Sequence, residues 1–266
     1  MLRTLAKKHY LGMASTFRYR GEEPSRIEAL SDSCFALAIG LLLISTKSPD
    51  TFDELFDFTK DLIPFALCLA MIMLVWYQHF IFFIRYGFRN SVIVALNSLL
   101  LLILLFYVYP LKFLAKFLTN VYGTLLGKLV GSDIHVNNIQ LTDAGDMPAL
   151  MITYGWGVAG IFIVLMLMYR YALKHAEELD LNEMEIFETK TSITSNMLMA
   201  GIALLSILFA LIVPNPIIGG FLAGCSYLMC WPVMTIFAKG RNKLRKAHLE
   251  KLNTTGGPSE DSGTEE

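Results

Sequence analysis

Long apolar runs alternate with short charged stretches along the 266 residues of the chain. Six of the runs reach the roughly 20 residues that a helix needs to cross a hydrocarbon core of about 30 Å at 1.5 Å per residue. They predict helices over about 25–46, 62–84, 91–118, 148–171, 191–213 and 217–238. In a bilayer the helix is the unclosed structure that satisfies its own backbone. The predicted fold is therefore all-α and integral to a membrane, with six transmembrane helices.

The breaks between runs carry the signals expected of them. Ser25 followed three residues later by Glu28 is a capping box at the start of the first helix. Lys47-Ser48-Pro49-Asp50 ends that helix, and Arg85 and Arg89 mark a short turn between the second and third. The loop 119–147 is rich in Gly, Asn and Asp, and the acidic segment Glu177 to Glu188 leads into the fifth helix. Pro214-Asn215-Pro216 interrupts an otherwise continuous apolar stretch that is twice what one crossing needs, so it reads as a tight turn between two helices. Thr51 to Asp61 alternates acidic and aromatic residues, the pattern of a short interfacial helix.

Residues 1–24 form a basic arm, read either as lying on an anionic inner leaflet or as a disordered tail. They lack the apolar core of a cleavable signal. Residues 239–266 pass from the cluster Lys239, Arg241, Lys243, Arg245 and Lys246 into a Gly/Ser/Thr/Glu tail. Six crossings place this cluster, the N-terminal arm, the Arg85/Arg89 turn and the Arg170/Lys174 end on one side, so both termini are expected in the cytoplasm.

Composition agrees. Apolar residues make up 55% and charged residues 17%, against about a quarter charged in a soluble domain. A net charge of −1 gives no electrostatic footprint for nucleic acid. Cys34, Cys68, Cys225 and Cys230 fall within apolar runs as small hydrophobes, with no CxxC pair to suggest a zinc site or disulfide framework. HExxH, GxSxG and P-loop patterns are missing, so the chain is read as no enzyme and without a cofactor. Asp133, His135, Asp143 and Asp146 have irregular spacing and read as a solvated loop rather than a metal site.

The first helix carries the most specific pattern. Arg26, then Leu30, Ser31-Asp32 and Phe35-Ala36-Leu37-Ala38-Ile39 open it; Trp76 and His79 form a WxxH pair in the second helix, and Asn97 and Pro110 follow in the third. This series resembles the signature of the channel family named for the lysosomal potassium channel transmembrane protein 175, in its single-repeat bacterial form. The resemblance covers residues 25 to 118 and implies a homotetrameric, potassium-permeable channel in the inner membrane of a bacterium. Monovalent cations and the lipid bilayer would be its partners, and residues 25–238 its channel domain. It also implies that four copies of the first helix line the pore, constricted at Leu37, Leu41 and Ile44. Arg26, Ser31, Asp32, Trp76, His79 and Asn97 would form a polar network holding that helix. Leu37, Leu41 and Ile44 share a helical stripe, although periodicity alone does not separate a pore-facing from a lipid-facing helix. Two departures stand out: Leu30 where Phe is usual, and Gly40 where many relatives carry a Thr or Ser that assists potassium selectivity. A secondary transporter and a membrane scaffold without conduction remain the rival classes at this level.

Overall fold

The computed structural model describes residues 17–21, 23–44, 51–52, 62–130 and 146–255, with side chains left out at 43–44, 115–130, 217 and 248–255. The helices among these residues are α1 (Arg26–Ile44), α2 (Leu62–Tyr86), α3 (Ser91–Val130), α4 (Asp146–Lys174), α5 (Glu183–Ile212), α6 (Pro216–Leu228) and α7 (Cys230–Thr255), and no strand occurs among them. Five stretches are long and apolar enough to cross a membrane: Leu62–Tyr86, Ser91–Leu114, Asp146–Lys174, Glu183–Ile212 and Ile218–Ala247. α1, described as far as Ile44, adds a sixth with 19 residues, about 28 Å.

The first helix starts where the capping box places it. The Ser25 amide donates to Glu28 Oε1 at 2.9 Å, and the Glu28 amide donates to Ser25 Oγ at 3.3 Å. Elsewhere the ends move. α3 runs on past residue 118 to Val130, so the first part of the predicted loop 119–147 is helical. At 40 residues that helix is about 60 Å long, well beyond one hydrocarbon core. α5 begins at Glu183, because Asn182 and Glu185 form a capping box that the acidic composition of this segment hid.

The predicted sixth helix is two. α6 stops at Leu228 and α7 restarts at Cys230. Pro232 lacks the N–H that would bond the Leu228 carbonyl, so a continuous helix fails there, while a proline in the first turn of a new helix costs nothing. The Pro214-Asn215-Pro216 turn is present, with Asn215 Oδ1 accepting from the Ile218 amide at 3.2 Å. The predicted interfacial helix within Thr51–Asp61 lies outside the described residues except for Thr51 and Phe52.

One apolar core joins α1 to α5. Phe35, Ala38 and Leu42 of α1 meet Cys68, Ile72, Val75 and Phe82 of α2, Leu100, Leu104 and Val108 of α3, and Leu165 and Met168 of α4. The last turns of α2, Ile81 to Tyr86, are buried on every side, as expected of a helix at the centre of a bundle. α3 and α4 approach closely at Gly157, where a Cβ would run into the Tyr107 ring. Small residues at such crossings let helices associate where lipid removes the usual hydrophobic driving force.

Candidate functional site

Helix α1 has two unlike faces. Ser31, Phe35, Ala38 and Leu42 are buried against its own subunit. The opposite face exposes Ala29, Leu30, Asp32, Ser33, Ala36 and Leu37. Leu37 is 52% exposed. Gly40 is half-buried, and a Cβ added there meets no atom within 4 Å. Leu41 is also half-buried but packs against the core, so Leu37 and Leu41 lie along one flank of the exposed face. The side chain of Ile44 lies outside the described residues.

The buried face is held by a directed chain of hydrogen bonds. His79 Nε2 pairs with Asn97 Oδ1 at 2.9 Å, Asn97 Nδ2 donates to Ser31 Oγ at 2.8 Å, and Ser31 Oγ donates to the Ile27 carbonyl at 2.8 Å. The amide oxygen accepts only if His79 carries its proton on Nε2, so the chain fixes the tautomer. Ser31, His79 and Asn97 are 0%, 2% and 2% exposed. The rings of Phe35 and Phe83 flank the imidazole at centroid distances of 5.6 and 4.6 Å. A separate bond joins the outer edge, where Trp76 Nε1 donates to Asp32 Oδ1 at 2.9 Å. Five of the six residues expected to form the polar network are thus brought together, in two branches. Arg26 is exposed and enters neither branch among the described residues.

Sequence reasoning missed a second cluster just before α1. Phe17 to Gly21 packs across the ends of α2 and α5 instead of lying apart as a surface arm. The Gly21 amide donates to the Ile84 carbonyl at 3.1 Å, and Phe17 is buried beneath the Arg85 guanidinium, 4.6 Å from ring centroid to Cζ. Glu185, with no exposed side chain, accepts from the Arg18 amide at 2.7 Å, from Arg20 Nη2 at 2.9 Å and from the Asn182 amide at 3.0 Å. Arg18 also binds Asp180, and its hydrogen bond to Glu185 is the main cause of an upward shift of its pKa. Glu188 pairs with Arg85 of α2 and Arg245 of α7, each at 3.1 Å. The signal was present: a basic and an acidic segment, both assigned to the same side. Asp133, His135 and Asp143 lie outside the described residues, and no group of three metal-ligating side chains occurs among those that are described.

Comparison with known proteins gives this arrangement a setting. The family model described as endosomal/lysosomal potassium channel TMEM175 matches residues 26–107. A potassium channel of Marivirga tractuosa is 42% identical over 245 residues, which cover 90% of this chain and 96% of that protein. A potassium channel of Chamaesiphon minutus is 29% identical over 106 residues, 37% of this chain and 52% of that protein. Among solved structures, a variant of the potassium channel MtTMEM175 in complex with a nanobody–MBP fusion superposes with a TM-score of 0.78 at 42% identity. The match covers 88% of this chain and 100% of that one. A lysosomal potassium-selective channel TMEM175 homolog from Chamaesiphon minutus shares the fold, with a TM-score of 0.50 at 21% identity over 82% and 97% of the two chains.

Proposed function

The chain belongs to the endosomal/lysosomal potassium channel TMEM175 family, a family of membrane channels and not of enzymes, and we propose that four copies of it close around α1 to form a potassium-conducting pore. The single observation that carries this reading is the outward face of α1. A lipid-facing helix has no reason to be slim. α2 exposes Leu67, Met71, Met73, Leu74 and Tyr77, with only Ala66 and Ala70 small. α1 exposes Ala29, Ser33 and Ala36, with Gly40 continuing the line. Small side chains let four helices approach one axis, and Leu30 and Leu37 stand on that same face as the bulky exceptions.

Leu37 then forms the tightest apolar ring, with Leu41 and Ile44 above it on the flank. An ion crossing such a ring sheds water without gaining ligands, so the ring gates by dewetting until it dilates. No cofactor takes part. With α1 as the first of six crossings, both termini lie in the cytoplasm, and the membrane is the inner membrane of a bacterium. The lock of Ser31, Asn97 and His79 holds α1 at its cytoplasmic half while leaving the pore face free. Asp50 to Asp61 would concentrate cations at the outer mouth.

Potassium flux into liposomes tests the reading. Leu37→Asn should wet the ring, raise basal flux and admit larger cations. Leu42→Asn places the same amide on the face that is 1% exposed, so it should lower tetramer yield without widening the pore. Equal effects at the two positions would mean that α1 does not turn this face to a pore.

A further inference from the structure

The basic cluster of α7, Lys239 to Lys246, divides between two faces. Arg241 and Arg245, one turn apart, turn inward to α5. The Arg241 guanidinium lies 5.2 Å from the Phe187 ring centroid and 5.5 Å from that of Phe237, and its Nη2 donates to Thr194 Oγ1 at 3.4 Å. Arg245 pairs with Glu188 at 3.1 Å, and Glu188 is also paired with Arg85. Lys239, Lys243 and Lys246 follow one another at i, i+4 and i+7, which puts them on one stripe on the opposite side of the helix. All three are exposed. The described ion pairs engage Arg18, Arg20, Arg85 and Arg245, and none of these lysines. Among the described residues α7 packs against α5 and α6 alone, so the lysine stripe meets no other helix of the chain.

The depth of the stripe follows from α5. At 1.5 Å per residue, Thr194 lies about 27 Å from the Ile212 end of that helix and Glu188 about 36 Å. A hydrocarbon core is about 30 Å thick, and the headgroup layers bring the total to about 40–45 Å. The Arg241 contact at Thr194 is therefore level with the edge of the core, and the Arg245 contact at Glu188 lies among the headgroups. The lysines occupy the same stretch of α7. Toward the core their stripe continues as Ile236, which is 71% exposed. One face of the helix thus changes from apolar to cationic where acyl chains give way to headgroups. The residue types match their tasks. A planar guanidinium stacks on rings and forks to a carboxylate, whereas lysine is a hydrated point charge on a flexible stem.

We propose that the face of Lys239, Lys243 and Lys246 docks on the phosphates of anionic phospholipids, with Arg241 and Arg245 holding α7 so that the three ammonium groups meet the headgroup layer together. Charge complementarity selects this occupant, because three cations without a counter-charge stand at the level of a layer of phosphates. A soluble partner would have to displace that layer to reach them. The proposal holds whichever helix lines the pore.

Spin-labelled phosphatidylglycerol and phosphatidylcholine are compared on the protein reconstituted in phosphatidylcholine vesicles, reading the fraction of each that the protein immobilises. A cation at the surface changes affinity for an anionic lipid about five-fold. Lys239→Gln, Lys243→Gln and Lys246→Gln combined should therefore lower the preference for phosphatidylglycerol about five-fold or more, and Lys243→Gln alone should give an intermediate loss. Arginine at all three positions should keep the preference, and raised salt should weaken it in the parent. Arg89→Gln, Arg170→Gln and Lys174→Gln combined remove as much charge from other exposed positions at the same membrane edge, and should leave most of the preference intact. Equal losses in the two triple variants would overturn the proposal in favour of net charge alone. An unaltered preference in the α7 triple variant would overturn it outright. Displacement of the labelled phosphatidylglycerol by inorganic phosphate at matched ionic strength would assign the face to a soluble anion and overturn the lipid reading.

Discussion

Asn97→Leu is the sharpest perturbation of the lock. The Asn97 amide serves two helices, accepting from His79 at 2.9 Å and donating to Ser31 at 2.8 Å. Hydrogen bonds between helices in membrane proteins average about 0.6 kcal/mol, so the two bonds contribute about 1.2 kcal/mol. The larger cost falls on what is left behind. Ser31 keeps its bond to the Ile27 carbonyl and loses little. His79 is buried from water between the rings of Phe35 and Phe83, and its bond at Nε2 is the one to Asn97. A stranded buried donor costs about 1–3 kcal/mol, which brings the total to about 2–4 kcal/mol. Equilibrium unfolding of the purified protein in mixed micelles measures it. Trp76→Phe is the control: it breaks the bond to an Asp32 that is exposed and stays wet, so it should cost less than about 1 kcal/mol. The double variant His79→Phe with Asn97→Leu strands nothing and should recover most of the loss. If the single and double variants are equally unstable, or if Trp76→Phe costs as much as Asn97→Leu, the chain through Asn97 is not what holds α1.

Two further outcomes follow from the geometry. Glu185→Gln keeps the shape of the buried side chain but turns an amide toward Arg18 and Arg20; hydrogen bonds to charged groups contribute about 1.5–3 kcal/mol, so unfolding in detergent should shift by about that much, and an unaltered transition would mean that the arginines gain nothing from this carboxylate. Gly40→Thr enters open space and supplies the hydroxyl that Gly40 lacks, so the potassium-over-sodium preference read from reversal potentials should rise; a parent channel already strongly selective and indifferent to the change would place selectivity elsewhere.

The fold was most legible where a bilayer constrains sequence most. A helix must present about 20 apolar residues to cross, so the runs show themselves, and Ser25 with Glu28 marks a start that the structure keeps. Legibility fell at ends that lie in water. There the capping box of Asn182 and Glu185 competes with an acidic composition that reads as a linker, and α3 continues through Gly- and Asn-bearing sequence because nothing such as proline stops it. Pro232 was visible but sat inside an apolar run, where hydropathy outweighed its missing N–H. The salt bridges of Arg18 and Arg20 to Glu185 join residues more than 160 positions apart, a separation at which no local pattern pairs them.

The two faces of α1 were unequally readable for a physical reason. Its buried face meets particular partners, so Ser31, Asn97 and His79 carry a polar pattern that apolar surroundings would otherwise penalise, and that pattern is specific. Its outward face meets either lipid or other copies of itself, and both accept leucine. Hydropathy therefore cannot distinguish them, and Leu37, Leu41 and Ile44 were assigned by resemblance alone. Size can distinguish them. Acyl chains conform to any side chain, whereas four helices converging on one axis leave room only for small residues between the constrictions. The exposed series of Ala29, Ser33 and Ala36, continued by the half-buried Gly40, is therefore the part of the sequence that speaks for a shared axis. It could be recognised only once burial had shown which side of α1 faces outward.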